Sequence, residues 1–246
     1  MKIYIISGAG ISAPSGISTF RDKEKGLWNN HDINEICNID TWRKNYDKVH
    51  RFYNDMRINM KDKEPNAAHL QIAKWQEQYG EENVINITQN IDDLFEKANV
   101  KNTIHLHGEL TKMNCHVCDS IYDINYSSFT NESTCPICNG KYSKPNVVFF
   151  GEQAPKYALL NKAFRDITSD DIVIVIGTLG KIVPVDLYVR GIYGKKPLKI
   201  LNNLVSGYFD FAEIQAMKHN PMHMDDYIKQ LDTILSSTGE KLLVGA

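Results

Sequence analysis

Residues 3–12, which read IYIISGAGIS, decide the fold. Ile3 to Ile6 form a short apolar run of β-branched and aromatic residues, as is typical of a buried strand. A turn containing Gly8 and Gly10 follows directly, and a helix-compatible segment comes next. A strand, a tight turn and a helix start in this order can present backbone amides to a phosphate group. The segment therefore predicts a nucleotide-binding turn.

Similar apolar runs recur along the chain at residues 84–87, 147–150, 172–176 and 198–201. Helical patterns lie between several of them, and we expect helices over residues 40–60, 65–79, 92–98, 155–167 and 225–235. Alternating strands and helices are typical of a parallel sheet that is covered on both faces. The predicted fold class is therefore α/β, with a Rossmann-like sheet.

Two stretches interrupt this alternation. Residues 22–64 are polar with scattered aromatics, and residues 113–144 contain paired cysteines. Since no internal repeat or Pro/Gly/Ser-rich linker separates them from the rest, we predict one domain over residues 1–246. Its nucleotide-binding lobe comprises residues 1–21, 65–112 and 145–246. The two interrupting stretches form a smaller lobe, as a loop with a helical insert and as a metal-binding insert.

Composition is that of an ordinary folded protein. The 246 residues are 42% hydrophobic and 24% charged, and the formal net charge is -2. This charge provides no general attraction for nucleic acid or for an anionic membrane surface, so we expect neither as a partner. No run approaches the roughly 20 apolar residues that span a bilayer. Five cysteines, four of them in two pairs, suit a reducing compartment, and we expect a cytoplasmic monomer.

The paired cysteines form a metal-binding pattern. Cys115-x-x-Cys118 and Cys135-x-x-Cys138 are separated by 16 residues, which is the spacing of two knuckles that present four thiolates to one tetrahedral Zn²⁺. Four thiolates leave no open coordination position, so the predicted zinc is structural and takes no part in chemistry. Cys37 stands apart, and we interpret it as a small core residue.

With these features in place, the chain resembles the sirtuin family over nearly its whole length and in family order. Besides the cysteine quartet, the matching blocks are residues 8–12 (GAGIS), 15–17 (SGI), 20–22 (FRD), 26–28 (GLW), 65–69 (PNAAH), 88–92 (TQNID), 105–110 (HLHGEL), 145–152 (PNVVFFGE), 176–178 (IGT), 183–184 (VP) and 201–202 (LN). The resemblance implies an NAD-dependent protein-lysine deacylase, which consumes NAD and releases nicotinamide and acyl-ADP-ribose.

The resemblance also implies which residues bind the cofactor. The residues around the phosphates and the adenosine ribose are Gly8, Ala9, Gly10, Ser12, Gly177, Thr178 and Asn202, while Phe20 and Arg21 belong to the cofactor loop. Gln89, Asn90, Ile91 and Asp92 surround the nicotinamide and its ribose. Of these, Asn90 and Asp92 are implied to be catalytic, since they orient the reacting groups. Asn and Asp at a strand end also favour a plain capping role, and the two roles can coexist.

The base and the peptide slot come from two further blocks. On spacing alone, His105 and His107 are both ordinary structural histidines, but the family block singles out His107 as the general base. The slot in which an acyl-lysine peptide adds as a strand is implied to contain Val147, Phe149, Gly151 and Glu152.

Residues 52–57, which read FYNDMR, indicate which acyl group the site accepts. They resemble the Tyr-x-x-Arg region with which the desuccinylase branch of the family binds a distal carboxylate. Tyr53 matches and is predicted to bind substrate, but Met56 occupies the arginine position. Arg57 is one residue later, about 100° around a helix, and should point elsewhere. We therefore expect small neutral acyl groups, with acetyl first.

Several departures keep alternatives open. Ala13 replaces the third glycine of the dinucleotide-binding G-x-G-x-x-G, which disfavours a generic dehydrogenase. Within the sirtuin pattern, Ser18 stands in place of a proline, Leu179 in place of a serine and Val185 in place of an alanine. One alternative function is NAD hydrolysis or ADP-ribosyl transfer on the same fold. A second is a non-catalytic NAD-sensing module.

Overall fold

The structure is a computed structural model that describes residues 1–18, 32–178, 180, 182–197 and 199–201. The expected helix at 225–235 lies outside these residues, as do Phe20, Arg21, Leu179 and Asn202.

The strands of the described residues form two sheets. They are β1 (Ile3–Ser7), β2 (Val84–Thr88), β3 (Ile104–His105), β4 (Gly108–Cys115), β5 (Ile121–Asp123), β6 (Ser143–Val147), β7 (Ile172–Ile176) and β8 (Lys199–Leu201). The larger sheet has the order β3-β2-β1-β7-β8, and all its pairings are parallel. The predicted α/β fold class is confirmed.

The helices pack against both sheets. They are α1 (Ile33–Ile36), α2 (Tyr46–Lys61), α3 (Ala67–Tyr79), α4 (Leu94–Lys97) and α5 (Tyr157–Asp166), followed by a π-type helix over Leu187–Ile192. Pro65 precedes α3, and Asn66 caps it by accepting a hydrogen bond from the amide of Ala68. No helix in the described ranges is long and apolar enough to cross a membrane.

Strand β1 packs on both of its faces. Ile3 and Ile5 point into a core cluster with residues of α3 and α4, whereas Tyr4 and Ile6 point into a second cluster with residues of α5. All five residues of β1 are buried. This is the pattern expected of a central parallel strand, because successive side chains alternate between two covered faces.

The smaller sheet is antiparallel, in the order β5-β4-β6. It begins at Gly108, before the boundary predicted for the metal-binding insert at residue 113. The prediction that residues 147–150 form a strand of the parallel sheet is wrong. Strand β6 ends at Val147 and pairs with β4 in the smaller sheet. Beyond it, the amide of Val148 donates to the carbonyl of His107, and that of Phe150 to the carbonyl of Cys37.

Two expected helix boundaries also differ. Helix α2 begins at Tyr46, and not near residue 40, because turns occupy the residues before it. The glycine turn is followed by two 3₁₀ turns, Ala9–Ile11 and Ala13–Ser15, in place of an α-helix. Gly16, with φ +81°, ends the second turn in the left-handed conformation that glycine adopts without strain.

Candidate active site and cysteine cluster

The glycine turn after β1 packs against the turn that follows β7. The amide of Gly10 donates to the carbonyl of Gly177 at 2.8 Å, and the amide of Gly8 to that of Ile176 at 3.0 Å. A Cβ on Gly10 would lie 2.7 Å from the Cα of Gly177, which itself has φ +64°. Both glycines are required by this contact, and they leave bare backbone at the carboxyl edge of the sheet, where α/β proteins bind ligands.

Three polar side chains meet at this edge. Ser12 Oγ donates to Asp92 Oδ2 at 2.9 Å and accepts a hydrogen bond from Asn90 Nδ2 at 3.0 Å. All three residues are buried. Burial raises the pKa of Asp92, and the hydrogen bonds donated by the Ser12 hydroxyl and the Leu94 amide oppose that rise. The segment after β2 is therefore tied to the glycine turn through one serine hydroxyl.

His105 is held at both ring nitrogens. Nδ1 lies 2.8 Å from the carbonyl oxygen of Asn90, and Nε2 lies 3.0 Å from Glu96 Oε1. Burial alone would lower the pKa of His105, but the Glu96 carboxylate raises it above its ordinary value. With 1% of its surface exposed, His105 is a structural residue that fixes the backbone of Asn90.

His107 occupies a different environment. Its Nδ1 lies 2.9 Å from the carbonyl oxygen of Gln89, and its Nε2 lies 3.0 Å from the hydroxyl of Tyr157. Burial lowers the pKa of His107, and the Gln89 carbonyl only partly offsets this. The imidazole is therefore neutral near pH 7, as a general base must be. The sequence analysis did not identify Tyr157, because the pattern of residues 155–167 indicates which face of the helix is apolar and says nothing of a hydrogen bond made by a tyrosine at its start.

A cavity of about 300 Å³ opens beside the serine, asparagine and aspartate. The residues that line it are Ala9, Ser12, Gly16, Ile17, Ser18, Met56, Asn59, Met60, Lys63, Asn90, Ile91, Asp92 and Leu110. The glycine turn, the segment after β2 and one face of α2 thus share a single space. Met56 contributes an apolar wall to it.

Neither Tyr53 nor Arg57 lines this cavity. Tyr53 is buried, with its ring stacked on Phe149 at 5.7 Å and its hydroxyl hydrogen-bonded to the thiol of Cys37. Arg57 donates to the carbonyl of Leu110 at 2.9 Å. The prediction that Arg57 points away from the Met56 position is confirmed. The interpretation of Cys37 as a core residue is also confirmed, since it is 6% exposed.

The residues predicted to form the peptide slot enclose a buried cation. Lys144 is 2% exposed, and its Nζ lies 2.6 Å from the carbonyl oxygen of Val147, 3.0 Å from Glu152 Oε2 and 4.3 Å from the ring centroid of Phe149. Glu152 Oε2 also accepts from the amide of Phe149 at 2.9 Å. Gly151 completes the turn with φ +82°. The Glu152 carboxylate therefore points inward, where it holds the turn.

The four paired cysteines converge on one point. The sulfur atoms of Cys115, Cys118, Cys135 and Cys138 all lie within 4.8 Å of one another, and none forms a disulfide. Cys115 Sγ is 3.6 Å from Cys138 Sγ, and Cys118 Sγ is 3.9 Å from Cys135 Sγ. Tetrahedral zinc with Zn–S bonds of about 2.3 Å places its sulfurs about 3.8 Å apart. The cluster fits this ion.

The model of the "Sir2 family" matches residues 8–184. This chain belongs to the Sir2 family. It is 41% identical over 219 residues to an NAD-dependent protein deacylase of Helicobacter hepaticus, with 82% of this chain and 85% of the relative covered. It is 40% identical over 235 residues to an NAD-dependent protein deacylase of Campylobacter jejuni, with coverage of 95% and 94%.

Solved Sir2 structures share the fold. A mutant Sir2 homologue in complex with ADP-ribose has a TM-score of 0.68 at 32% identity, and the match covers 80% of this chain and 79% of that one. A mutant Sir2 protein with a p53 peptide and NAD has a TM-score of 0.62 at 27% identity, with coverage of 82% and 81%.

A second model, the "Virulence protein RhuM family", matches residues 180–246. The Sir2 match ends at residue 184, so Asn202 lies beyond it and inside the second match. Asn202 also lies outside the described residues, together with Phe20 and Arg21. The cofactor roles of these three residues remain predictions.

The other site residues of this Sir2 chain fall into three groups. Most of the predicted cofactor residues gather at the carboxyl edge of the parallel sheet, namely Gly8, Ala9, Gly10, Ser12, Gln89, Asn90, Ile91, Asp92, Gly177 and Thr178. Gln89 joins two parts of this edge, since its Nε2 donates to Thr178 Oγ1 at 3.2 Å and its carbonyl contacts His107. The slot residues form the second group and the cysteines the third.

Proposed function

We propose that the chain is an NAD-dependent protein-lysine deacylase that transfers the acyl group from a lysine side chain to ADP-ribose. The observation that carries this proposal is a neutral, oriented imidazole, His107, tied through Gln89 to the segment that holds Asn90 and Asp92. The relatives named NAD-dependent protein deacylase and the structures with ADP-ribose and NAD support the same activity.

NAD fits the residues at the carboxyl edge of the sheet. Gly8, Gly10 and Gly177 allow the two turns to pack closely, because a Cβ on each of them would clash with the opposite backbone or side chain. The turns thereby bring bare backbone to the edge at which α/β proteins bind nucleotides. When bound, NAD supplies nicotinamide as a leaving group and an electrophilic ribose carbon for the acyl oxygen of lysine. Residues 1–18 and 84–92 bring the needed polar groups together in a buried space.

The protein's own groups orient the reacting atoms and exclude water from them. Asn90 and Asp92 are fixed by the Ser12 hydroxyl, so they offer an amide and a carboxylate at defined positions. Ile91 is buried and lines the same cavity with apolar surface. The acyl oxygen of lysine is a weak nucleophile, and holding it against the ribose carbon in a dry site is a major source of rate acceleration in enzymes. His107 then accepts the proton of a ribose hydroxyl at Nε2, while the Gln89 carbonyl keeps the proton on Nδ1.

The preferred acyl group is small and neutral, with acetyl first. Met56 lines the cavity where a cation would be needed for a distal carboxylate, and the Tyr53 hydroxyl is occupied by Cys37. The peptide is proposed to add as a strand along Val147 and Phe149, with Gly151 and Glu152 forming the supporting turn. The Sir2 structure with a p53 peptide supports a peptide substrate.

We further propose one structural Zn²⁺ at the cysteine cluster. Its sulfur separations fit a tetrahedral ion, and four thiolates leave no position for a substrate. The metal would hold the smaller sheet together, since Cys115 ends β4 and the other ligands lie in loops. The cytoplasmic location and the monomeric state stay predictions from the sequence.

One experiment tests the deacylase and its rivals together. The purified chain is incubated with NAD, with and without an acetyl-lysine peptide, and nicotinamide and acyl-ADP-ribose are quantified. The proposal expects both products only when the peptide is present, and it expects His107→Ala to lose acyl-ADP-ribose while remaining folded. Nicotinamide release that ignores the peptide indicates an NAD hydrolase. No release at all indicates an NAD-sensing module.

A further inference from the structure

Tyr157 contacts the one nitrogen of His107 that catalysis requires. It is the first residue of α5, and its hydroxyl lies 3.0 Å from His107 Nε2. The two rings are stacked, with centroids 6.0 Å apart and 26° between their planes. This contact joins the helix after the peptide slot to the base, 50 residues earlier in the chain.

The direction of the hydrogen bond follows from the other side of the ring. The Gln89 carbonyl oxygen can only accept, so the neutral imidazole carries its proton on Nδ1. Nε2 is then an acceptor, and the hydroxyl of Tyr157 donates to it. Burial raises the pKa of Tyr157, so the phenol keeps its proton over the working pH range of an enzyme.

We propose that Tyr157 is a positioning residue for the base, whose hydroxyl holds Nε2 of neutral His107 until the ribose hydroxyl of bound NAD replaces it. This inference rests on the proposed function. The exchange breaks no covalent bond, since one hydroxyl donor leaves Nε2 and another takes its place. His107 would then take the proton of that hydroxyl at Nε2, the ribose oxygen would keep the electron pair of the broken O–H bond, and the ring would become an imidazolium with a proton on each nitrogen.

Among the described residues, few charges compete with this contact. Lys156 and Glu109, which neighbour Tyr157 and His107 in sequence, lie 3.4 Å apart as an ion pair, and Glu109 also pairs with Lys112 at 2.7 Å. From the remaining packed elements, the carbonyl oxygen of Gln89 lies 2.9 Å from His107 Nδ1, and the Tyr188 phenol adds to the effect of burial in raising the pKa of Tyr157. The hydrogen bond from Tyr157 is therefore the interaction at Nε2 that a single substitution can remove.

The test uses Tyr157→Phe and begins with the free protein. A donor at Nε2 stabilises the neutral ring, so its removal should raise the pKa of His107 by about half to one pH unit. NMR titration of the His107 ring measures this without any turnover, and a His107→Asn variant identifies the resonance. Tyr122→Phe is the matched control, because it removes a tyrosine hydrogen bond of 2.9 Å to Ser143 in the smaller sheet.

Activity provides the second measurement. In Tyr157→Phe the acidic limb of kcat/KM for acyl-ADP-ribose formation should move upward by the same amount, while nicotinamide exchange at about pH 7.5 stays within about twofold, because exchange precedes the proton transfer to His107. An unmoved NMR titration would overturn the proposal, and so would a parallel loss of nicotinamide exchange. If wild-type protein forms no acyl-ADP-ribose, the proposed function fails, and the NMR result still decides whether Tyr157 sets the state of His107.

Discussion

Ser12 and Asp92, 80 residues apart in the chain, are joined by a buried hydrogen bond of 2.9 Å. The same serine oxygen accepts from Asn90, so one hydroxyl fixes both side chains proposed to orient nicotinamide and ribose. Burying a carboxylate or an amide without a hydrogen-bond partner costs free energy, so loss of this serine hydroxyl should perturb both side chains.

Ser12→Ala should therefore slow nicotinamide exchange by about tenfold or more, because Asn90 and Asp92 lose their common partner. Since the Ser12 donor lowers the pKa of Asp92 against the effect of burial, its loss should also move the acidic limb of exchange upward. Exchange of labelled nicotinamide across pH 5 to 8 measures both effects. Ser15→Ala is the control, as its hydroxyl contacts Asn66 outside the cavity. Equal rates in the two variants would contradict the role of Ser12.

Lys144→Met should lower the free energy of unfolding by about 3 kcal/mol, because it leaves the Glu152 carboxylate without its buried cation. The KM for an acetyl-lysine peptide should rise while the KM for NAD is unchanged, since the lost contacts lie under the peptide slot. Urea unfolding and initial-rate kinetics measure these quantities.

The matched control is Lys162→Met, which removes the exposed pair with Asp166 on α5 and should leave the free energy of unfolding nearly unchanged. The double variant Lys144→Met with Glu152→Gln should recover part of the lost stability, because it removes the unpaired charge as well. If the double variant is no more stable than Lys144→Met alone, the two residues do not act as a pair.

Some of this site could be predicted from sequence, and some could not. Strands β1, β2 and β7 follow from apolar runs, because a buried parallel strand needs such a run at a fixed place. The same composition at 147–150 predicts the wrong partner, since hydrophobicity records burial and not which backbone is paired. The burial of Lys144 does not follow from its sequence, because lysine is almost never fully buried unless it is paired, and its partner is set by the turn.

The two histidines show the same limit more sharply. His105 and His107 lie two residues apart in one apolar stretch, and their spacing offers no reason to choose between them. In three dimensions Glu96 and the Asn90 carbonyl occupy both nitrogens of His105, whereas the partner of His107 at Nε2 within the described ranges is a neutral phenol. The difference comes from the helices that contact the two rings. Glu96 of α4 binds His105, whereas Tyr157 of α5, 50 residues away in sequence, binds His107.

Removal of zinc should unfold the smaller sheet. We expect about one zinc per chain by elemental analysis, and treatment with a strong chelator should abolish deacylation because β4 and β6 support the peptide slot. Cys115→Ser and Cys138→Ser should each lose the metal. Cys37→Ser should keep it, since Cys37 lies apart from the cluster. A metal-free wild-type protein with full activity would rule out this structural role.

Acid should weaken the fold through His69. It is buried in α3, its Nε2 has no hydrogen-bond partner among the described residues, and burial lowers its pKa to about 4. An unfolded histidine has a pKa near 6.5, so the unfolded state binds the extra proton first. The contribution of His69 is therefore complete above about pH 6.5 and is lost as the pH falls towards 4.

Over that interval the loss should be of order 3 kcal/mol, from a shift of about 2.5 pH units. Urea unfolding at pH 7, 5.5 and 4.5 measures it. In His69→Gln, where the side chain cannot be protonated, the stability should fall less steeply with pH. Identical slopes in the variant and the wild type would show that His69 does not contribute.

Met56→Arg tests the acyl preference at the cavity itself. Met56 lines the wall beside Asn90 and Asp92, so an arginine there could reach the distal carboxylate of a succinyl group, with which it can form two parallel hydrogen bonds. The ratio of kcat/KM for succinyl-lysine to that for acetyl-lysine peptide should rise by about tenfold or more, which is roughly the effect of one charge-assisted hydrogen bond.

Met56→Gln is a polar control that carries no charge. The gain should be smaller than a full Tyr-Arg pair would give, because the Tyr53 hydroxyl remains bound to Cys37. An unchanged ratio would place the acyl group away from Met56, and the apolar wall at that position would then not account for a neutral preference.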